Sequence, residues 1–328
     1  MRAQALFLCA ALCAGAAVAP AAQLVAYSPQ ATVKGDIRIW GNPEDTSLVN
    51  SWGAGFRKFQ PQARVVATLH GSDSAMAGIY TDVADIAFVG RELRLPVENM
   101  AFQWVKLYRP TTIEVANASL TERRAAATLA LFVHPENPVR GLTLAQLEGI
   151  FGAEHKRGTP NLRTWGDLGL SGAWRDRPIR VLAPEVTSVS ALFFRHAVLH
   201  DSLKWNVAIE ELASADKAID AVAHDPSAIA YAPLAAANGR AVKDLPIAAK
   251  EGGDFVAPTA QSVADRRYPL SRVVIVAIDR PDGKPVDPKV REFLRYVLSA
   301  DGQAAIARDG AYVPLSAADA QREAKRLD

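Results

Sequence analysis

Residues 36–59, DIRIWGNPEDTSLVNSWGAGFRKF, decide the fold of this chain. The pattern predicts a strand from Asp36 to Trp40, a loop to Thr46 and a helix from Ser47 onward. Large apolar side chains fall on one face of that helix: Leu48, Trp52, Phe56 and Phe59. The helix is therefore expected to pack against the strand that precedes it.

The same order of strand, loop and helix is repeated directly afterwards. A second strand is predicted at Arg64 to Leu69, followed by a loop at 70–73 and a short helix, and a third strand at Ile86 to Val89. Successive units of this kind form a parallel sheet whose crossover connections are helices. The first part of the chain is therefore predicted to be an α/β layer.

The middle of the chain has the same pattern in a new set of elements. Strands are predicted at 129–133 and 179–182, and helices at 144–151 and 190–199, with proline and glycine marking the loops between them. About 300 of the 328 residues remain once a short N-terminal leader is set aside, and a chain of that length is more than a single core usually organises. We therefore assign residues 112–250 to a second lobe.

The last part of the chain returns to the first lobe. Val273 to Ile278 is a continuous apolar run, as expected of a strand buried on both faces. We predict a discontinuous first lobe, residues 23–111 and 251–328, built around the inserted second lobe. The chain then crosses between the lobes twice, and two crossings make a hinge.

The start of the chain has the order and length of a secretory signal peptide. Met1 to Ala22 carries an early arginine, an apolar run and small residues before Gln23, which predicts a periplasmic protein. Both cysteines, Cys9 and Cys13, lie in this leader, so cleavage leaves no cysteine for a disulfide, a nucleophile or a metal site. A lipid anchor on one of them is the alternative.

The charge pattern narrows the class of partner. The formal net charge is +2, and acidic and basic residues are interspersed along the chain. No basic stripe indicates nucleic acid, and no block of like charge indicates a disordered tail. A small-molecule partner is therefore expected.

Short segments in a characteristic order carry a family likeness: GLTL at 141–144, IF at 150–151, WGDLGL at 165–170, YPLSR at 268–272, VREFL at 290–294 and GQ at 302–303. In number and order they resemble the phosphate ABC-transporter substrate-binding family. The resemblance implies the type II periplasmic binding protein fold, in which two α/β lobes, each a mostly parallel sheet flanked by helices, close on a ligand in the cleft between them. It also implies phosphate or a related small oxyanion as the ligand, and an inner-membrane ABC permease as partner.

Members of this family hold an oxyanion with hydroxyls and main-chain N–H groups at helix starts, so the site is sought where strands lead into helices. The first such loop, 41–47, offers Thr46 and Ser47. An N-cap role for these residues is the alternative. The loop departs from the family because Glu44 and Asp45 stand where small glycine and serine residues are usual, and two carboxylates repel an anion.

Two more candidates follow the second and third strands. Ser72, Asp73 and Ser74 match the glycine-serine element that opens the next helix in the family, with a plain turn as the alternative. Arg91 has the geometry for a bidentate pair with an oxyanion and is our candidate charge partner. A salt bridge to Glu92 or to another surface carboxylate is the alternative.

The fourth candidate lies in the second lobe. Thr187, Ser188 and Ser190 align with the family's serine-glycine-threonine element at a helix start. Pro184 replaces the arginine that pairs with the anion in the family, and Val189 replaces the glycine, which limits how closely the main chain approaches a ligand. These departures leave the identity of the oxyanion open.

Tyr231 and a pair of histidines are weaker candidates for a site. Tyr231 matches a family segment that lines the cleft, and a core tyrosine with a satisfied hydroxyl is the alternative. His196 and His200 are four apart on a predicted helix, but no glutamate follows the first histidine and neighbouring phenylalanines indicate packing. We therefore expect no metal.

The sequence contains no catalytic signature. No G-x-S-x-G elbow surrounds a serine, and no glycine-rich loop with a lysine is present, so we expect neither an enzyme nor a cofactor. An extracytoplasmic sensor or interaction module that has lost phosphate transport is the alternative function, favoured by Pro184 and the acidic first loop. A secreted phosphoester hydrolase is a weaker alternative.

Overall fold

The computed structural model describes residues 23–94, 97–123 and 125–328. The predicted signal peptide, with both cysteines, lies outside the described residues. Within those ranges no helix combines the length and the apolar character that crossing a membrane requires.

The strands follow the chain in the order β1 (Gly35–Gly41), β2 (Ala63–Leu69), β3 (Ile86–Phe88), β4 (Thr111–Asn117), β5 (Leu129–Val133), β6 (Leu142–Thr143), β7 (Arg180–Pro184), β8 (Glu210–Leu212), β9 (Ala228–Pro233), β10 (Lys243–Leu245), β11 (Ile247–Ala248) and β12 (Val273–Ile278). The helices are α1 (Thr46–Arg57), α2 (Ser72–Tyr80), α3 (Val97–Lys106), α4 (Leu144–Phe151), α5 (Val189–Leu199), α6 (Ala215–His224), α7 (Ala260–Ala264), α8 (Pro288–Val297), α9 (Ala300–Asp309) and α10 (Ala317–Lys325).

Two mixed sheets organise the described part of the chain. The first has the order β2-β1-β3-β12-β4, and the second has the order β8-β7-β9-β5-β10. In the first sheet only β12 runs against the other strands, and in the second only β5 does. The prediction of two mostly parallel sheets flanked by helices is confirmed.

The two reversed strands are the first strands that the chain forms after each crossing. β5 follows the passage from the first sheet to the second, and β12 follows the return. The crossing segments lie side by side, because the Ala118 N–H donates to the Arg272 carbonyl at 3.0 Å. The two lobes are thus connected by two adjacent segments of main chain, which is the arrangement expected of a hinge.

The structure moves both predicted lobe boundaries. The predicted boundary at residue 112 falls inside β4, which pairs with β12 from Thr111 to Asn117 in the first sheet, with a register shift between Val274 and Ile275. On the return, Val263, Tyr268 and Leu270 pack in the core of the second lobe, and the Tyr268 hydroxyl donates to the Leu129 carbonyl at 2.9 Å. Apolar periodicity predicts a strand but does not say which sheet it joins. We use lobe 1 below for the elements of the first sheet and lobe 2 for those of the second.

Each lobe has its own apolar core. In lobe 1, α1, α8 and α9 cover one face of the sheet around Trp52 and Phe56, while α2 and α3 cover the other. In lobe 2, α4 and α5 pack on one face around Phe151 and Phe194, and α6 packs on the other. These layers hold the starts of α1, α2 and α5 at the carboxyl ends of the strands, where open α/β sheets bind ligands.

Candidate functional site

Three strand ends of lobe 1 are joined by a short chain of hydrogen bonds. After β1, the Asn42 side-chain amide donates to the Ser72 hydroxyl at 2.8 Å. The Ser72 hydroxyl, at the start of α2, donates in turn to the Val89 carbonyl after β3, also at 2.8 Å. The loops that follow β1, β2 and β3 therefore meet at one place.

Most of the hydroxyls predicted to hold a ligand in lobe 1 instead hold these loops. Ser72 donates to Val89, Ser74 donates to the Gly71 carbonyl at 2.8 Å, and Thr46 donates to the Pro43 carbonyl at 2.6 Å. Ser47 is exposed, and its side chain has no hydrogen bond within the described ranges. Most of the predicted side-chain donors in these loops thus already donate hydrogen bonds within the protein.

The start of α2 offers main-chain donors. Its N-cap is Gly71 at φ +122°, a conformation that favours glycine, and glycine has no side chain to cap the helix. The first N–H of α2 to find an acceptor is that of Ala75, which donates to the Gly71 carbonyl at 3.2 Å. The N–H groups of residues 72–74 have no acceptor among the residues that the structure describes, so this helix start favours an anion.

Arg91, our candidate charge partner, is committed to a buried carboxylate. Its side chain is 2% exposed, and its terminal nitrogens donate to the two Glu98 oxygens at 3.0 and 2.6 Å. They also contact the Glu92 carbonyl at 2.9 Å and Asp73 at 3.5 Å. The salt-bridge alternative therefore describes Arg91, although its main partner is the buried Glu98 and not Glu92 or a surface carboxylate.

The environment of Glu98 keeps it ionised. Burial by itself raises the pKa of the Glu98 carboxyl, but the hydrogen bonds and positive charges of Arg91 and Arg94 outweigh it and hold that pKa below its ordinary value. Asp73, predicted as a ligand contact, is 76% exposed and pairs with Arg94. Asp73 thus belongs to the edge of this ion-pair cluster.

The acidic first loop is partly built into the core. Asp45 occupies the N-cap position of α1, but its side chain makes no capping hydrogen bond and accepts one from the Tyr312 hydroxyl at 2.9 Å. A Cβ at Gly90, in the loop after β3, would lie 3.2 Å from the Asp45 Oδ2. Gly90 is at φ +72°, a conformation that favours glycine, and the loop that carries Asp45 lies directly against the loop after β3.

In lobe 2 the start of α5 carries free donors. Ser188 is the N-cap, and its hydroxyl oxygen accepts from the Ala191 N–H at 3.2 Å. The N–H groups of Val189 and Ser190, and the Ser190 hydroxyl, have no partner in the described part of the chain. Thr187 is exposed, and its hydroxyl donates to Glu185 at 2.9 Å. Of the three predicted contacts, Ser190 keeps both its N–H and its hydroxyl free within the described ranges, whereas the Ser188 N–H donates to the Glu185 carbonyl and its hydroxyl caps the helix.

Sequence reasoning missed Arg272. Its guanidinium donates to the Glu92 carboxylate from Nε at 3.1 Å and from Nη2 at 2.6 Å, and it stacks 4.7 Å from the ring centre of Phe193 in α5. It is 2% exposed, and its Nη1 has no hydrogen-bond partner from any residue with a described position. The available signal was an arginine directly before the buried strand β12, in the YPLSR segment.

Tyr231 lies inside the core of lobe 2. It is 0% exposed and stacks on Phe194 with ring centres 4.0 Å apart, with Trp205 and Phe151 beside it. Burial raises the pKa of its hydroxyl, which has no hydrogen-bond partner among the described residues. The core alternative therefore describes its position, without the satisfied hydroxyl that we expected.

Neither the His196–Asp201 contact nor the apolar cavity in the lobe 1 core forms a second site. The His196 ring nitrogen contacts the exposed Asp201 at 3.0 Å, and residues 23–94, 97–123 and 125–328 contain no cluster of three side chains suited to a metal ion. An apolar cavity in the lobe 1 core is lined by residues such as Ile39, Trp52 and Phe293. It offers an anion no polar group.

The chain is similar to proteins of a known superfamily. The family model described as the PBP superfamily domain matches residues 26–301. The phosphate-binding protein PstS of Pseudomonas aeruginosa is 30% identical over 314 residues, which cover 95% of this chain and 92% of that protein. The protein SphX of Synechococcus elongatus is 28% identical over 194 residues, covering 58% of this chain and 54% of its own length.

Solved structures share the fold. PstS from Borrelia burgdorferi matches with a TM-score of 0.60 and 16% identity, covering 86% of this chain and 99% of that one. An ABC-type phosphate transport receptor from Vibrio cholerae matches with a TM-score of 0.55 and 21% identity, covering 84% and 99%. At these identities the likeness shows a shared fold.

Proposed function

The chain belongs to the PBP superfamily and, within it, to the family of phosphate-binding proteins of ABC transporters, and from this premise we propose that it captures phosphate between its lobes for import. We propose a periplasmic location, with an inner-membrane ABC permease receiving the closed, loaded protein. Binding without chemical conversion of the ligand is the proposed role.

The observation that carries the proposal is a pair of open helix starts, one from each lobe. α2 leaves three N–H groups without an acceptor, and α5 leaves two together with the Ser190 hydroxyl, counted over the described residues. Helix starts carry partial positive charge, and unpaired N–H groups point outward from them. An oxyanion with several acceptor oxygens satisfies both ends at once.

The chain crossings supply the movement that capture requires. The two connections between the lobes lie against each other at Ala118 and Arg272, so the lobes can rotate about this line without separating. An anion held by both helix starts binds the closed form better than the open form. It therefore shifts the equilibrium toward closure by that difference in affinity.

Titration calorimetry of the protein with phosphate, sulfate, molybdate and small organic anions tests the proposal. We expect saturable heat with phosphate and a rise in melting temperature at saturation, because a ligand that binds the folded state stabilises it. Absence of heat with every anion contradicts the anion site. Saturation by another anion alone retains the site and replaces phosphate as the ligand.

A charge placed at one helix start separates binding from folding. Ser190→Asp puts a carboxylate in the first turn of α5, where it favours the helix by about 0.3–1 kcal/mol but repels a bound anion. Ala318→Asp is the matched control, because Ala318 is also the second residue of its helix, α10, and lies outside the site. We expect Ser190→Asp to abolish phosphate binding while Ala318→Asp leaves it unchanged.

A sensor or interaction module of the same fold is the second candidate, because Asp45 places a carboxylate beside the lobe 1 loops and Val189 stands at the start of α5. The two roles differ in the membrane partner. Capture of the permease by the phosphate-loaded protein supports transport, whereas capture of a sensor-kinase ectodomain in its place supports sensing.

A further inference from the structure

Arg272 is a buried cation with one terminal nitrogen left without a partner. Nε and Nη2 are held by Glu92, but Nη1 is buried and has no partner in the described ranges. Buried polar groups are hydrogen-bonded in the great majority of cases, and an orphaned one on a charged group is particularly unfavourable. In Arg272 the orphaned nitrogen belongs to a charged side chain on the crossing between the lobes, which makes it a candidate for pairing with an anion from outside the chain.

The Arg272 side chain contacts both lobes. It contacts Glu92, in the loop that follows β3, and Phe193, in α5. Ser190 is three residues before Phe193, and residues at this spacing are neighbours on the surface of a helix.

We propose that Arg272 is the residue that pairs with the bound anion, through Nη1, and that Glu92 positions it by holding the opposite edge of the guanidinium. This inference rests on the proposed capture of an anion between the lobes. Arginine is suited to the task because its planar fork binds a carboxylate on one edge while a nitrogen on the other stays available.

The pair with Glu92 also stabilises the Arg272 guanidinium before an anion binds. With Glu92 bound, the charge of Arg272 is balanced, so no isolated cation is buried when the anion is absent. The Phe193 ring beneath the guanidinium adds a cation–π contact from lobe 2. Because Arg272 lies on the chain crossing, an anion bound to it contacts the hinge as well as the two lobes.

Titration of inorganic phosphate into wild type and Arg272→Gln tests the inference. Loss of a charge-assisted hydrogen bond weakens binding by roughly ten- to a hundred-fold. We also expect the phosphate affinity of the variant to depend less steeply on ionic strength, since one of the charges that attracts the anion is gone. A change in packing alone would not alter that dependence.

Arg272→Lys keeps the inference testable where Arg272→Gln does not fold. A lysine ammonium retains the charge but not the fork that serves Glu92 and an anion together, so we expect a folded protein with phosphate affinity reduced about three- to ten-fold. Arg91→Gln is the control for a change at an equally buried arginine, and its folded fraction should bind phosphate as wild type does.

The outcomes are distinct. Wild type that does not bind phosphate refutes the proposed function, whatever the variants do. Wild type that binds phosphate, together with a folded Arg272→Gln or Arg272→Lys variant of unchanged affinity, overturns the role of Arg272 alone. An equal loss of affinity in Arg91→Gln would do the same.

Discussion

Arg91 and Arg272 are buried to the same degree, both 2% exposed, and each forms a bidentate pair with one glutamate. They differ in what remains. Both terminal nitrogens of Arg91 have acceptors, whereas the Nη1 of Arg272 has none in the part of the chain that is described. One arginine therefore closes a local network, and the other leaves a position open.

This difference shows that burial and charge alone do not mark a binding residue. Arg91 and Glu98 are close in sequence and fix the loop after β3 to the start of α3. Arg272 and Glu92 are 180 residues apart and connect the chain crossing to lobe 1. For these two arginines, the unsatisfied Nη1 of Arg272, together with its place on the chain crossing, is what distinguishes the candidate ligand contact from the structural ion pair.

Removing the Glu98 carboxylate, the partner of Arg91, has the largest expected effect on stability. Glu98→Leu removes the carboxylate that pairs with the buried Arg91 and leaves the exposed Asp73, 3.5 Å away, as its acidic partner, so we expect a cost of about 3–5 kcal/mol of unfolding free energy. Urea unfolding measures it. Asp73→Asn, at the exposed edge of the same cluster, is the control and should cost less than about 1 kcal/mol. A stable Glu98→Leu protein that no longer binds phosphate would reverse the assigned roles of the two pairs.

Acid should weaken the same pair by a smaller amount. Because the pKa of Glu98 is held below 4.5 in the folded protein, its contribution to stability is fully present above that value and is lost as the pH falls through the folded pKa. Urea midpoints of wild type and Glu98→Gln between pH 6 and pH 3 measure it. The Gln variant should show the shallower decline, and parallel curves would contradict an ionised Glu98.

The junction of the lobe 1 loops should be next in magnitude. Ser72→Ala removes a hydroxyl that donates to Val89 and accepts from Asn42, so both lose a partner at a cost of about 1–3 kcal/mol. Ser74→Ala is the control, because the Gly71 carbonyl still accepts from Ala75. Thermal unfolding compares them, and equal stability of the two variants would contradict the junction.

The elements around the site could be predicted from the sequence. The predicted helix at 190–199 begins at Val189 in the structure, and the predicted strand at 36–40 extends from Gly35 to Gly41. Apolar runs and turn residues are local signals, and the helix starts that hold the free N–H groups depend on them. Chain length and the repeated pattern predicted two lobes, the family resemblance implied the same fold, and that fold is confirmed.

The rest depends on contacts between distant residues. No local pattern distinguishes Arg91, whose acceptor is seven residues away, from Arg272, whose acceptor lies 180 residues away. Ser72 and Ser190 look alike in sequence as serines at helix starts. Only the fold brings Val89 and Asn42 to Ser72 while it leaves the Ser190 hydroxyl without a partner from the described residues.

Ser190→Ala should give the smallest effect and the sharpest comparison with Ser72. Since its hydroxyl has no hydrogen bond within the described chain, its removal should leave the melting temperature unchanged. Loss of a ligand hydrogen bond of about 0.5–1.5 kcal/mol should weaken phosphate binding two- to ten-fold in calorimetry. Ser188→Ala should instead lose about 1 kcal/mol of stability, because Ser188 caps α5. If Ser190→Ala has a lower melting temperature but binds phosphate normally, then Ser190 serves the helix structurally and is not a ligand contact of lobe 2.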